Sequence, residues 1–388
     1  MKRKAIKIHK YELFAVPPRW LFLRIETKDG LVGWGEPTLE GRVKTVAAAV
    51  RELMDKYVIK ADASRITDLW QVLYKGGFYR GGPVLMSALA GIDQALWDLK
   101  GKALGVPIYE LLGGPCRDKV RVYRWIGGDE PAEVAEEARL QVAKGFTALK
   151  MNVAGRVGLL ERPANVKKIA QRFFKVREVI GEEIDLILDF HGRISPALAF
   201  TLAPVLQEGK PLFYEEPIFP LSITHLSRLK VLTHIPLAFG ERLYSRWDFH
   251  PFLEFGVIDI VQPDLSHAGG ISECLRICTF AEAYGALVAF HCPLGPIALA
   301  ASLQLAAVVP NFLIQETSLG IHYNEGVELT DYVINKEEFS PQGGYLALLS
   351  KPGLGVEIDE GAVRAAASKA VDWSNPIWRG EDGGLLEW

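Results

Sequence analysis

From about residue 120 the chain repeats one unit, an apolar run of strand character that in most cases is followed by an amphipathic helical segment. Eight such runs can be counted: VRVYRW, TALKMN, IDLILDF, PLFYEEP, IPLAFGE, VIDIVQPD, ALVAFHCP and FLIQET. Seven of the eight end in polar or ionisable residues, which are Lys150/Asn152, Asp189, Glu215, Glu241, Asp264, His291 and Glu316. Buried parallel strands that end in polar groups are typical of a (β/α)₈ barrel, whose active site lies at the C-terminal ends of the strands.

The remaining sequence predicts a second unit beside the barrel. A doubly wound open sheet is the alternative, but it would gather its chemistry at one crevice, and no GxGxxG opens a helix after a strand. Residues 1–118 begin with alternating hairpin sequence around a Lys-Asp-Gly turn and continue with helical periodicity, which predicts an α+β domain. The predicted fold class is therefore α/β, with a barrel over 119–325 and a Gly/Pro-rich segment, 326–388, that returns to the first domain.

Composition excludes some functional classes. The 44 basic and 47 acidic residues give a net charge of −3 without a long Lys/Arg run, which disfavours nucleic-acid binding. The most apolar stretch, 287–310, is interrupted by His291, Pro293 and Pro296, so we expect no membrane span. No signal peptide is visible, and the four cysteines are expected to be free thiols rather than two disulfides. We therefore expect a soluble, cytoplasmic protein.

Three carboxylates indicate a metal site. Asp189, Glu215 and Glu241 follow three successive predicted strands at equal intervals of 26 residues. Hard oxygen ligands at neighbouring strand ends suit a divalent cation, most plausibly Mg²⁺. Each acid alone could be a surface or helix-capping residue, but matched positions on three strands favour a metal site. A divalent cation would stabilise the enediolate that forms when a proton next to a carboxylate is removed.

A series of motifs along nearly the whole chain resembles a known family. They are GIDQALWDLKGKALGVP, ELLGG, DFHGR, YEEP, GER, QPDLSHAGG, HCPLGPIALAA and GIHYN. In this order and spacing they resemble the mandelate racemase subgroup of the enolase superfamily, and within it the galactonate dehydratases. The resemblance implies a (β/α)₇β barrel with a capping domain, an acid-sugar substrate and a symmetric homo-oligomer, octamers being common among relatives.

Two histidines are the candidate acid and base. His291 and Asp264 end adjacent strands, so Asp264 can orient the imidazole and raise its basicity. The resemblance assigns this pair the removal of the proton at carbon 2, whereas a buried core histidine is the alternative. His191 lies two residues beyond Asp189, on the same side of an extended backbone. The resemblance makes it the acid that protonates the departing hydroxyl at carbon 3, and a solvated loop histidine is the alternative.

The other candidate residues concern the substrate. Racemases of the subgroup carry a K-x-K motif, but here Lys150 is followed by Asn152, which cannot abstract a proton from the opposite face. One base and one acid suit elimination, so Asn152 favours a dehydratase, while Lys150 is expected to assist near the substrate carboxylate. Glu316 is expected to share a proton with that carboxylate, and a plain buried or surface glutamate is the alternative.

Substrate specificity is carried by weaker signals. The resemblance places the loop from Phe14 to Trp20 and the residues 80–83 over the barrel mouth. Arg19 and Trp20 are expected to line this lid, although an exposed arginine and a packing tryptophan explain them equally well. The predicted reaction is Mg²⁺-dependent dehydration of D-galactonate to 2-keto-3-deoxy-galactonate. Alternatives are dehydration of gluconate, arabonate or fuconate, racemisation or epimerisation of a 2-hydroxy acid, and a metal-binding relative without activity.

Overall fold

The computed structural model describes residues 5–220, 222–321, 324, 326–369 and 373–388. The chain begins with an antiparallel sheet, whose strands are β1 (Ile8–Val16), β2 (Trp20–Thr27) and β3 (Val32–Gly35). Residues 28–30 form the predicted turn between β2 and β3, with Gly30 at φ 81°. The helices that follow are α1 (Val43–Leu53), α2 (Ile66–Lys75), α3 (Pro83–Leu104) and α4 (Ile108–Leu111), with a π-helical turn at Met54–Val58. The predicted α+β capping domain is confirmed.

Close backbone approach joins the sheet to α3. A Cβ added to Gly35 would lie 1.8 Å from the carbonyl oxygen of Gly91 on α3, and one added to Gly33 would lie 2.5 Å from that of Ala95. Only glycine permits strand and helix to lie so near each other. The apolar side chains of α1, α2 and α3 pack with those of β2 into a separate hydrophobic core.

Eight parallel strands form the second sheet, and they coincide with the eight strands predicted from sequence. They are β5 (Arg124–Trp125), β6 (Ala148–Asn152), β7 (Asp185–Asp189), β8 (Tyr214–Glu215), β9 (Leu237–Phe239), β10 (Ile260–Val261), β11 (Leu287–Phe290) and β12 (Phe312–Gln315). Each pairs with its neighbours in chain order. The sheet closes where Tyr123 N donates to Gln315 O at 3.2 Å, next to a parallel bridge between Val122 and Gln315. The predicted barrel is confirmed.

Helices alternate with these strands. They are α5 (Pro131–Ala143), α6 (Pro163–Ile180), α7 (Pro196–Leu206), α8 (Ile223–Leu232), α9 (Arg246–Glu254), α10 (Gly270–Ala283) and α11 (Pro296–Ala306). Four of them begin with proline. The fixed φ of proline suits the first helical position, and its lack of an N–H costs nothing there because an N–H at this position has no partner within the helix. Alternate strand side chains form one core inside the barrel and another against the helices. No helix among the described residues is long and apolar enough to cross a bilayer.

The C-terminal segment contacts both domains. Strand β13 (Tyr345–Ala347) pairs with β4 (Lys119–Arg121), which precedes the barrel strands. Helix α12 (Glu360–Ala367) packs on β1, where Arg364 bonds Glu12 at 2.8 and 2.9 Å, so part of the segment returns to the first domain. The final residues form a hairpin, β14 (Trp378–Arg379) with β15 (Leu385–Leu386). This hairpin lies at the barrel mouth, a position that the sequence did not predict.

Carboxylates of the capping domain bind the first turns of two barrel helices. Glu36 accepts hydrogen bonds from Gly295 N (2.7 Å) and Ala298 N (3.0 Å) at the start of α11. Asp93 accepts from Ser272 N (2.9 Å) and Ser272 Oγ (2.6 Å) in the first turn of α10. Such carboxylates satisfy the unpaired N–H groups of a helix N-terminus and suit its dipole. They fix the capping domain to the side of the barrel formed by β10 and β11.

Candidate active site

Parallel pairing gathers the three predicted metal ligands at neighbouring strand ends. Asp189 is the last residue of β7 and lies opposite Glu215, the last residue of β8. Glu215 lies opposite Ala238 of β9, and Glu241 follows two residues after that strand. Asp189 and Glu215 are each 1% exposed. Water therefore contributes little to the solvation of their charges, and other groups must compensate.

Lys150 on β6 provides part of that compensation. Its Nζ lies 3.2 Å from Asp189 Oδ2 and 3.1 Å from Glu316 Oε1, and it also contacts Glu215 Oε1. Burial alone would lower the pKa of Lys150, but Asp189, Glu215 and Glu316 raise it well above the ordinary value. Lys150 is therefore a fixed cation among the strand-end acids.

One lysine leaves the acids under-compensated. Buried oxygens of Glu215 and Glu216 have no hydrogen-bond partner. Burial and the charge of Asp189 raise the pKa of Glu215 well above its ordinary value. Arg242, whose Nε lies 3.3 Å from Glu216 Oε2 and 3.4 Å from Glu241 Oε1, balances only part of the remaining charge. Buried carboxylate oxygens without partners fit a divalent cation with oxygen ligands such as Mg²⁺.

Among the described residues, one group holds three ligand atoms within 4.8 Å of one another, and it is a different one: Asp264, His267 and His291. In this group His291 Nδ1 lies 2.8 Å from Asp264 Oδ2, while His267 Nδ1 lies 3.8 Å from the same oxygen. The short contact joins two of the supposed ligands to each other as donor and acceptor, which is the geometry of an Asp–His pair. The oxygen-rich acids near Lys150 remain the better match to a hard cation.

The Asp264–His291 pair has the predicted arrangement. The two residues form a parallel bridge between strand ends, and Asp264 Oδ1 accepts from Ser266 N at 2.6 Å, which fixes the carboxylate. Because Asp264 accepts from Nδ1, Nε2 is the nitrogen of His291 that faces the acid cluster; it lies 3.3 Å from Glu241 Oε2. Burial would lower the pKa of His291, but Glu241, Glu316 and Asp264 raise it well above the ordinary value.

His191 occupies the other side of the acid cluster. The backbone at His191 is not extended as predicted: β7 ends at Asp189, and His191 has a left-handed φ of 53°. In this conformation its N–H donates to Asp189 Oδ1 at 2.7 Å, and its Nε2 lies 3.2 Å from Asp189 Oδ2. Its ring stacks on Trp125, with 6.0 Å between centroids and 18° between planes. Its Nδ1 contacts Arg193 Nη2. Since a guanidinium only donates, Nδ1 is the acceptor and the ring proton is on Nε2.

Burial lowers the pKa of His191 to about 4, and the nearby Arg193 acts in the same direction while Asp189 opposes it. Asp189 in turn would have a raised pKa from burial, but His191 and Lys150 lower it to about 2. The two histidines thus have different surroundings: carboxylates dominate around His291, and a guanidinium contacts His191.

The remaining predicted residues are also located. Glu316 is fully buried and accepts from Trp125 Nε1 and Cys292 N, each at 2.8 Å. Asn152 ends β6 opposite Asp189, and its Oδ1 is buried without a hydrogen-bond partner. Both positions place polar oxygens beside the acid cluster.

The lid residues are buried. Arg19 is 1% exposed and donates to Asn324 Oδ1 (3.0 Å) and Pro293 O (3.1 Å). It is therefore not an exposed arginine; it binds the loop that follows His291. Trp20 is 0% exposed and packs against Phe22 and Tyr332, which fits the packing interpretation. In the GIHYN motif, His322 and Tyr323 lie outside the described residues.

A cleft of about 1180 Å³ opens beside His191 and Asn152. Its walls come from the ends of β5 and β6, the loop after β6 and the C-terminal tail, including Trp373, Trp378 and Trp388. Sequence reasoning missed this wall, although three tryptophans in a polar tail were a usable signal. It also missed Trp125 and Glu36, whose partners are distant in sequence, and Arg193 and His267, which lie within DFHGR and QPDLSHAGG.

Comparison with known proteins agrees with this architecture. Residues 133–362 match the family model described as enolase C-terminal domain-like, and residues 17–113 match the mandelate racemase/muconate lactonizing enzyme N-terminal domain. A candidate dehydratase from Mesorhizobium loti is 31% identical with a TM-score of 0.87, over 93% of this chain and 98% of that one. A mandelate racemase/muconate lactonizing enzyme from Sulfitobacter sp. is 27% identical with a TM-score of 0.89, over 99% and 100%.

Proposed function

The chain belongs to the mandelate racemase/muconate lactonizing enzyme group of the enolase superfamily, and from this premise we propose that it is a Mg²⁺-dependent acid-sugar dehydratase acting on D-galactonate. One observation carries the proposal: a different histidine lies on each side of the acid cluster. His191 Nε2 is 3.2 Å from Asp189, and His291 Nε2 is 3.3 Å from Glu241. One base and one acid can remove a proton and a hydroxyl from neighbouring carbons.

Asp189, Glu215 and Glu241 would hold the cation, which when bound neutralises these carboxylates and stabilises an enediolate. Lys150 and Glu316, which lie 3.1 Å apart, would contact the substrate carboxylate. Lys150 supplies a fixed positive charge there, and Glu316 supplies an oxygen that can share a proton. These groups bind the end of the substrate at which negative charge develops.

With the charge of Glu241 neutralised by the cation, His291 would be a neutral imidazole; it then removes the proton at carbon 2 with Nε2, while Asp264 holds Nδ1 and stabilises the imidazolium that forms. The electron pair left at carbon 2 moves into the enediolate and then forms the C2–C3 double bond as the C3–O bond breaks. His191 transfers the proton on Nε2 to the departing oxygen, so that water leaves, and the imidazolate that remains accepts a hydrogen bond at Nδ1 from Arg193. Negative charge that develops on that oxygen favours the transfer. The enol product tautomerises to 2-keto-3-deoxy-galactonate.

Two features support elimination over racemisation. Asn152, at the position of the second lysine of K-x-K, carries no basic group for the opposite face. Several structural relatives, including the protein from Mesorhizobium loti, carry the description of candidate dehydratases. The four free cysteines fit a reducing compartment, and we propose a cytoplasmic location.

Incubation with a panel of aldonic acids and Mg²⁺, followed by a 2-keto-acid assay, tests the proposal. We expect D-galactonate to give the highest kcat/KM and EDTA to abolish turnover until Mg²⁺ is restored. Turnover of gluconate, arabonate or fuconate but not galactonate would overturn the substrate. Deuterium in recovered substrate without any keto acid would favour a racemase or epimerase. An Asp189→Asn variant should also lose the increase in thermal midpoint that Mg²⁺ gives the wild type.

A further inference from the structure

The C-terminal hairpin is joined to the barrel mouth by aromatic–cation contacts. Two strands of two residues each are too short to be stable alone, so the hairpin depends on what it packs against. The Arg193 guanidinium lies 5.1 Å from the Trp378 ring centroid, and that of Arg156 lies 5.6 Å from it. At the start of the tail, Trp373 lies 5.2 Å from the Arg19 guanidinium and 6.1 Å from the Trp388 ring.

These contacts connect the hairpin to His191. Arg193, which contacts Trp378 with its guanidinium face, contacts His191 Nδ1 with Nη2. Among the described residues, the guanidinium has few other contacts: Nη1 lies 3.5 Å from Ala154 O, and the buried Nε has no hydrogen-bond partner there. An arginine side chain has many rotamers, so a stacked ring on its planar face restricts it strongly. Trp378 therefore decides whether Arg193 stays on His191.

The contact with Arg193 has a chemical consequence. With Nδ1 occupied as an acceptor, the proton of His191 is on Nε2, the nitrogen that faces Asp189 and the acid cluster. Trp125 stacks on the ring and holds its plane. Without Arg193 only the Trp125 stacking contact would hold the ring, which could then rotate and move Nε2 away from the departing hydroxyl.

We propose that the C-terminal hairpin positions the acid His191 through the contact of Trp378 with Arg193, so that the tail is required for loss of the hydroxyl but not for removal of the carbon-2 proton. Arg193 and Trp378 are positioning residues in this scheme. The inference rests on the proposed dehydratase function, because that function gives His191 its role. The inference concerns only the loss of the hydroxyl, so it can be tested separately from the removal of the carbon-2 proton.

Two rates measured in D₂O test the proposal: keto-acid formation and deuterium incorporation at carbon 2 of recovered substrate. In Trp378→Ala we expect keto-acid formation to fall tenfold or more, with deuterium incorporation within twofold of the wild type or faster. Trp378→Phe keeps an aromatic face for Arg193 and should remain within about threefold of the wild type in both rates. Ile377→Ala changes the exposed neighbour of Trp378 and is the matched control, with no expected effect.

A double-mutant cycle tests the route. Arg193→Met should give the same pattern as Trp378→Ala, and the double variant should be no worse than Arg193→Met, because both changes break one chain of contacts. Additive losses would overturn the route through Arg193. Equal losses of both rates in Trp378→Ala, or no loss in either, would overturn the proposal as a whole.

Failure of the proposed function has a different signature, in which the wild type releases no keto acid from any acid sugar. In that case, crystal structures of the wild type and of Trp378→Ala test whether the hairpin positions His191. The wild type should show Arg193 on His191 Nδ1, and the variant should show Arg193 displaced. An unchanged Arg193–His191 contact in the variant contradicts the inference.

Discussion

The two halves of the barrel mouth are held in place by different parts of the chain. The half that carries His291 is bound by the capping domain: Glu36 binds the first turn of α11, and Arg19 binds Pro293 O in the loop between. The half that carries His191 is covered by the C-terminal hairpin, through Trp378 on Arg193. One attachment consists of buried hydrogen bonds, and the other is a stacking contact of a partly exposed tryptophan.

The two attachments differ in strength, and the weaker one can change more readily. Hydrogen bonds to a charged group contribute about 1.5–3 kcal/mol each, whereas a cation–π contact contributes about 0.5–2 kcal/mol. In the proposed reaction, the base His291 meets a proton at carbon 2 of each acid sugar. The proposed acid, His191, would meet carbon 3 beside the variable part of the substrate; it is held more weakly and lies next to a large cleft. Rigid attachment of the base and weaker attachment of the acid would allow substrate range to change without loss of proton abstraction.

Replacement of the base should have the largest effect. In His291→Asn we expect keto-acid formation and carbon-2 deuterium incorporation both to fall by about 10³-fold, within the usual range for a lost general base. His250→Asn, which changes an exposed histidine on α9, is the control. Persistent deuterium incorporation in His291→Asn would assign the base elsewhere and remove the distinction between the two halves.

Replacement of the acid should separate the two rates. His191→Asn is expected to lower keto-acid formation by about 10²-fold while deuterium incorporation stays within a few-fold of the wild type, because Asp264 and His291 are untouched. Measurement of both rates in one D₂O reaction gives the ratio directly. Normal dehydration in this variant would mean that His291 itself returns the proton to the departing hydroxyl.

Disturbance of the capping-domain attachment should act on the base half alone. Glu36→Gln replaces one carboxyl oxygen with an NH₂ donor, so its amide oxygen can replace only one of the two acceptors at the start of α11. Since His291 lies four residues before Gly295, we expect both rates to fall together by about tenfold. A fall in dehydration alone would show that the capping domain acts on the acid half, contrary to the contacts.

Much of this arrangement follows from local sequence. The eight strands are short apolar runs with polar ends, and buried parallel strands require this pattern, so the barrel and its strand-end residues were predictable. The Asp264–His291 pair follows from adjacent strands in the same way. The capping-domain hairpin was predictable from its Lys-Asp-Gly turn.

Contacts that depend on three-dimensional closure were not predictable. Lys150 contacts Glu316 only because β6 and β12 lie on either side of β5 once the sheet has closed. Arg193 and Trp378 are 185 residues apart, and no periodicity links them. The resemblance placed Arg19 in the lid, with an exposed arginine as the alternative, whereas its guanidinium is buried and donates to the side-chain oxygen of Asn324 and to Pro293 O. Such pairs are determined by the fold rather than by the residues around each partner.

The smallest expected effect is on the pH dependence of stability, which should differ between the capping-domain attachment and the hairpin contact. Burial raises the pKa of Asp93 to about 7, although Ser272 opposes this, so the folded protein binds a proton that the unfolded chain releases near pH 4. The contribution of Asp93 to the free energy of unfolding is therefore largest at low pH. It falls as the pH rises from about 4 to 7 and does not change further at higher pH. Asp93→Asn should reduce the fall in thermal midpoint between pH 5 and 8 by about 2–4 °C.

Two control variants should leave the dependence of the thermal midpoint on pH unchanged, because neither changes a buried carboxylate. They are Asp68→Asn, on the exposed side of α2, and Trp378→Ala. A slope in Asp93→Asn equal to that of the wild type would show that the capping-domain attachment is no more sensitive to pH than the hairpin contact.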